Sequence, residues 1–339
     1  MKTACVTGSQ GFIGSYICQE LLSCGYKVVG IDNFSKYGQV ARLHDNHPNF
    51  TLFTHDIIDI QSLSLQHYQF DYVIACAAMI GGIQYFHKFA YDLLATNERI
   101  LAATFDWAIE LFKHNHLNRI VMLSSSMVFE CTSVYPTPEE ERFHCPPPLS
   151  TYGFQKLASE YFCKGAFEQY GLPFTIIRPF NCIGVGEGEA TNANQVSHGN
   201  VRMLMSHVVP DLIYKSLTIK PSDKLPILGS GKQIRHYTHG RDIAEAVKIA
   251  MESPEAINED FNVSSDRPIS VEELATMIWK MIHGDVLCRL EHLEPFEYDV
   301  QIRSPDVSKM RERLGFECKR DVEQSLPEII EWIRKYYNI

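Results

Sequence analysis

No run of about 18 apolar residues occurs anywhere in the chain, so nothing in it reads as a transmembrane helix. The first residues, MKTACVTGSQGFIGS, hold no apolar signal core and pass straight into a strand pattern, which speaks against secretion. There is no CxxC pair. The ten cysteines (5, 18, 24, 76, 131, 145, 163, 182, 288 and 318) are scattered through 339 residues, a length that needs no covalent staples. Free thiols in a reducing, cytoplasmic setting are expected. The fourteen histidines are equally dispersed. His114 and His116 stand close together but have no cysteine or carboxylate set at metal-ligand spacing, so no metal is expected. The net charge is −10 and no basic stripe is present, which excludes a broad nucleic-acid surface. An anionic small molecule remains possible, held by local arginines, lysines and helix N-termini.

What is present is an ordinary globular composition, 45% apolar and 21% charged. The length suggests two domains, or one large domain with a smaller appendage. In the first half, short apolar runs alternate with amphipathic stretches. TACVTG, KVVGIDN, FTLFTHDI, DYVIACAA, RIVMLSSS and FTIIRPFN read as strands, and YICQELLSCG as a helix closed by Gly25. This alternation predicts an α/β, doubly wound parallel sheet with helices on both faces. The character changes near residue 183. A polar loop, GVGEGEATNANQVSHGN, is long enough to be functional. Helices follow in VRMLMSHVVPDLIYKSL, RDIAEAVKIAMES, ISVEELATMIWKMI and LPEIIEWIRKYYNI. Ser270 and Glu273 form a capping-box signature ahead of the third. The expected division is a dinucleotide-binding domain over 1–182, also receiving part of 230–265, and a smaller, interleaved α/β substrate domain over 183–339.

Gly8, Gly11 and Gly14 follow the first strand and open a helix. Backbone without side chains turns tightly there, and the helix N-terminus offers unpaired N–H groups to a pyrophosphate. Asp32 ends the second strand, where a carboxylate accepts ribose hydroxyls and repels a 2′-phosphate, favouring NAD over NADP. Asp56 and Ile57 suit an adenine edge. Ala77 and Ala78, after the fourth strand, let backbone lie close to a cofactor. The fifth strand ends in LSSSMVFE, at the edge where open α/β sheets bind ligands. About 27 residues on, STYGFQK places Tyr152 and Lys156 a turn apart on one helix face. A free tyrosine titrates at about 10, too high for a base at neutral pH. A neighbouring ammonium favours the phenolate, so a depression toward about 7 is expected.

Taken together, TGSQGFIG, Asp32, the SSS strand end, YGFQK, RPFN, RHYTHGRD and DVSKMRERLGF resemble the extended short-chain dehydrogenase/reductase family, in particular its nucleotide-sugar epimerases and dehydratases. The likeness spans almost the whole chain. It implies that Tyr152 is the catalytic base or acid, that Lys156 bonds the nicotinamide ribose and tunes the tyrosine, and that Ser125 holds the reacting oxygen. It extends the NAD contacts from Gly8, Gly11, Gly14 and Asp32 to Phe12, Ile13, Asn33 and Asn97. Substrate contacts are expected at Ser126, Met127, Asn181 and His207, with Arg235 and Arg303 for phosphate. The implied chemistry is transient oxidation of a nucleoside-diphosphate sugar, with NAD⁺ regenerated, in a homodimer built on helices near 85–112 and 153–170.

The sequence also departs from that pattern. The 4,6-dehydratases of this family follow the serine or threonine with Asp-Glu; here stand Ser126 and Met127, and a thioether transfers no proton. Related decarboxylases carry glutamate at the second position, which Met127 also lacks. Phe129 and Glu130 replace a Tyr-Gly pair, and Glu130 reads either as a displaced acid or as a solvated loop residue. Phe296 stands where an arginine often precedes the late Asp299-Val300, leaving Arg303 to supply the charge. Glu187 and Glu189 make the loop acidic. AMIGGIQ bears some likeness to a loop of GDP-mannose 3,5-epimerase, whose catalytic cysteine falls at Met127. The reading that results is a C4 epimerase. A dehydratase with displaced acids, such as a 5,6-dehydratase, comes next, then a reductase or decarboxylase. A non-catalytic dinucleotide sensor is the reading of a different class.

Overall fold

The apolar runs become strands covered on both faces. In the computed structural model β1 (Thr3–Thr7) is buried at four of its five positions and β6 (Phe174–Pro179) at all six. The structure describes residues 1–65, 67–81, 88–188, 207–295 and 300–339. Between β1 and β6 lie α1 (Phe12–Ser23), β2 (Lys27–Asp32), β3 (Phe50–Thr54), β4 (Phe70–Ala75), α2 (Ala90–Lys113), β5 (Leu117–Leu123) and α3 (Thr151–Tyr170). There follow β7 (Cys182–Ile183), α4 (Val208–Thr218), β8 (Leu225–Leu228), β9 (Ile234–His236), β10 (Thr238–His239), α5 (Gly240–Glu252) and β11 (Glu259–Val263). The chain ends through β12 (Pro268–Ser270), α6 (Val271–His283), β13 (Leu290–Leu293), α7 (Ser308–Leu314) and α8 (Val322–Tyr337).

Seven strands form one sheet in the order β3-β2-β1-β4-β5-β6-β11, every pairing parallel. Parallel neighbours need crossovers, and the helices that supply them cover both faces. Ile17, Leu21, Val247 and Met251 pack α1 and α5 on one face. Leu101, Trp107, Cys163 and Ala166 pack α2 and α3 on the other. Strand order reverses between β1 and β4, which opens a crevice at the carboxyl ends of the strands. A second apolar core joins α4, α6 and α8 through Leu212, Trp279 and Ile330. It sits beside that crevice and supplies its far wall. Among the described residues no helix is long and apolar enough to cross a membrane.

Candidate active site

A cavity of about 590 Å³ runs along the carboxyl edge of the sheet, from the glycine turn past Ser125 and Tyr152 to α4 and β8. Its first part is shaped by backbone. Gly8 has φ +70°, and a Cβ there would lie 2.9 Å from the Ala77 Cα; one at Gly14 would lie 2.1 Å from the Gly8 carbonyl oxygen. The turn therefore closes tightly, with Gly11, Phe12, Ile13 and Gly14 on the cavity wall. α1 has no side-chain cap and no acidic residue in its first turn. Its N-terminal amides and dipole are left for an anion. Asp32 takes the Gln10 amide on Oδ2 at 2.9 Å and the Phe34 amide on Oδ1 at 2.8 Å. Each oxygen keeps further acceptor capacity toward the cavity. Burial pushes this carboxyl above its usual range, while these amides and Arg42 act in the opposite direction. Asn33 donates to Asp56 at 2.9 Å, and Asp56 caps the short 3₁₀ turn that presents Ile57. Thr7 Oγ1 accepts the Cys76 and Ala77 amides at 3.1 Å, bringing Ala77 and Ala78 beside the glycine turn. Uncapped helix amides, an acceptor carboxylate and small-residue walls fit a dinucleotide.

Asn97 is placed differently from expectation. It lies behind the wall, 1% exposed, with Oδ1 accepting the Met79 amide at 2.7 Å and Nδ2 donating to the Met79 carbonyl at 2.9 Å. It holds the segment after β4 and is not among the residues lining the cavity.

Tyr152 and Lys156 leave the first turns of α3, whose N-terminus is fixed by Ser150 Oγ accepting the Gly153 amide at 3.0 Å. Ser125 ends the extended backbone after β5, and its Oγ accepts the Met127 amide at 3.2 Å. The three side chains converge on the cavity wall. Lys156 Nζ lies 6.0 Å from the Tyr152 ring centre and donates to the Leu123 carbonyl at 3.1 Å. Burial lowers the lysine to about 8. The tyrosine departs from expectation. Burial raises it above its ordinary value; a hydrogen bond with Ser125 and the positive field of Arg303 pull it down by less. Desolvation of the phenolate outweighs its neighbours here, so the protein alone holds Tyr152 as a phenol.

Beyond this trio, Ser126 and Met127 are buried and line the cavity. Asn181 has φ 37° and donates to the His236 carbonyl at 2.8 Å. His207 Nδ1 pairs closely with Glu187, which is 6% exposed and held in its charged form by that contact despite its burial. Arg235 and Arg303 reach the same space from β9 and from the chain beyond β13. Glu130 is not among the lining residues. Its Oε2 accepts the Ser150 amide at 2.9 Å and the Ser150 hydroxyl at 3.0 Å, so it supports the start of α3. Glu189, Phe296 and Asp299, with 82–84 and the rest of the acidic loop to 200, lie outside the described residues.

Sequence reasoning passed over several lining residues: Lys36, Tyr37, Asp211, Lys215 and Tyr237. Two had a signal. Tyr237 stands two residues after Arg235, so extended backbone turns both to one side. Asp211 and Lys215 have helical i, i+4 spacing, and Lys215 Nζ bonds Asp211 at 2.6 Å.

The geometry can be set beside known proteins. Residues 4–264 match the model of the NAD dependent epimerase/dehydratase family. A UDP-N-acetyl-alpha-D-glucosaminuronate decarboxylase of Bacillus cytotoxicus is 28% identical, with 100% of both chains covered. A UDP-glucuronate 4-epimerase of Thermodesulfobacterium geofontis is 26% identical over 97% of this chain and 95% of its own. Among solved structures, UDP-glucose 4-epimerase from Thermotoga maritima, with UDP-glucose, superposes with a TM-score of 0.79 at 25% identity, covering 99% of each chain. A match spanning β1 through β11, on a chain whose glycine turn and tyrosine–lysine pair meet in one cavity, places the protein in the NAD-dependent epimerase/dehydratase family of enzymes.

Proposed function

We propose that the protein is an NAD-dependent 4-epimerase of a nucleoside-diphosphate sugar. The observation that carries this reading is the company kept by Ser125, Tyr152 and Lys156. The positions after Ser125 hold Ser126 and Met127, both buried on the cavity wall, where water elimination would require a proton-transferring pair. Inverting one carbon by oxidation and reduction needs only a proton shuttle at one oxygen and room for the oxidised sugar to present its other face. Bound NAD supplies a reversible hydride acceptor. With the positive charge of bound NAD⁺ favouring its phenolate, Tyr152 takes the proton of the sugar 4-hydroxyl and returns it. Ser125 holds that oxygen through its hydroxyl. Lys156 compensates the phenolate. Arg235 and Arg303 are the proposed diphosphate clamp, with Asn181 and His207 as further sugar-nucleotide contacts. The division into a 1–182 cofactor domain, extended by 230–265, and a substrate domain accords with the two apolar cores flanking the cavity.

Decarboxylation is the second reading, favoured by the whole-length similarity to a decarboxylase. Both reactions begin with the same oxidation, so Tyr152→Phe stops either. Mass spectrometry and NMR on UDP-, GDP-, CDP- and dTDP-sugars, uronates included, distinguish them. Epimerisation gives a product of unchanged mass and a new configuration at C4. Loss of carbon dioxide or of water sinks the epimerase reading in favour of a decarboxylase or dehydratase.

A further inference from the structure

Behind the catalytic trio lies a buried charge cluster that the proton shuttle does not use. Glu160 follows Lys156 by one turn of α3, is 1% exposed and is not among the cavity's lining residues. Its Oε1 accepts the Ser124 hydroxyl at 2.6 Å and Arg178 Nε–H at 2.6 Å; its Oε2 accepts from the other arm of Arg178 at 2.8 Å. Arg142 approaches the same carboxylate at 3.3 Å. Arg178, fully buried on β6, also donates to Asp260 of β11 at 2.5 Å. Burying such a set costs desolvation that apolar side chains would avoid, so stability alone is a poor account of it.

Its placement offers a better one. Ser124 immediately precedes Ser125, and its amide is fixed on the Ile177 carbonyl at 2.8 Å. α3 therefore grips the end of β5 at two points one turn apart. Lys156 Nζ holds the Leu123 carbonyl, and Glu160 holds the Ser124 hydroxyl. The second grip acts on the residue whose peptide leads directly into Ser125. A charge-assisted bond of this length tolerates little displacement. Ser124 also lines the cavity, and its hydroxyl donates to Glu160.

We propose that Ser124 and Glu160, with Glu160 oriented by Arg178, are positioning residues that fix Ser125 relative to Tyr152. This rests on the reading that Ser125 and Tyr152 act together on the substrate hydroxyl. The test uses Ser124→Ala, which removes one oxygen and leaves the charge cluster intact, and Ser124→Thr as the conservative control. Tyr152 is titrated by NMR of ¹³C-labelled tyrosine in the NAD complex and assigned with Tyr152→Phe, a readout that needs no substrate. With Ser124→Ala the Tyr152 midpoint is expected to rise, because a loosened Ser125 no longer lowers it. The kcat falls by about 10- to 100-fold at unchanged KM, the scale of a small misplacement. Ser124→Thr restores both. A wild-type midpoint in Ser124→Ala overturns the proposal, and so does a loss of activity carried by KM. If the wild type turns over no sugar nucleotide, the function proposed above fails, while the titration still decides this one.

Discussion

At the scale of single residues, the titration of Tyr152 is where chemistry and burial compete. Its position was legible because Tyr-x-x-x-Lys and the serine run carry fixed spacings. Its ionisation was not, because desolvation depends on what the fold stacks around the ring. Burial raises the phenol, and Lys156, itself lowered to about 8, sits against the ring face at 6.0 Å. Added positive charge favours the phenolate. Loading the protein with NAD⁺ is therefore expected to lower the Tyr152 midpoint, measured by the same tyrosine NMR, and Lys156→Met to raise it again. As the proposed base, Tyr152 acts when deprotonated, so kcat is expected to rise with pH through that midpoint, with the rising limb moving up in Lys156→Met. An unmoved limb would show that another group sets the rate. Asn97 shows the opposite limit of sequence reading. An asparagine suited to a ligand is spent instead on the Met79 main chain, and no spacing rule separates the two uses.

Among elements, those with strong local signals matched expectation and the short ones escaped it. α6 begins where Ser270 and Glu273 announced it, with both halves of the capping box formed. β11 carried no such signal. Its residues, EDFNV, hold two acids that a buried strand does not advertise, and tertiary partners resolve them. Asp260 is held charged by Arg178 and Lys309. Nearby, Glu139 accepts the Asn262 amide at 2.8 Å and ties its 3₁₀ turn to this strand. Burial pushes Glu139 up to about 7. A folded value above the unfolded one makes the contribution to stability full at acid pH, below about 4.5, and lost as pH rises through 7. Its size is at most about 3 kcal/mol. Glu139→Gln keeps the acceptor and removes the titration. Its melting temperature is expected to gain on the wild type between pH 5 and pH 8; parallel melting curves across that range would refute the assignment.

For the whole molecule, the sheet followed from alternating strands and helices, and the glycine turn marked the crevice at its order reversal. The far wall of the cavity was less legible, because it is assembled from segments distant in sequence: Arg235, Tyr237, Asp211 and Arg303 meet only in the fold. The outer face of α2 and α3 bears Tyr91 at 76%, Phe154 at 49% and Tyr161 at 61% exposure, large rings left without cover. We propose that a second copy covers them. Sedimentation equilibrium is expected to give twice 38.7 kDa and Tyr161→Glu to give half of that; a wild-type monomer at micromolar concentration would exclude it. The order of synthesis adds one more consequence. β6 leaves the ribosome with its outer edge bare, and the strand that closes it, β11, follows only after β7 through α5 have been made. During that interval the nascent chain carries an open template for pairing with other chains, and Arg178 waits on β6 for Asp260 to arrive.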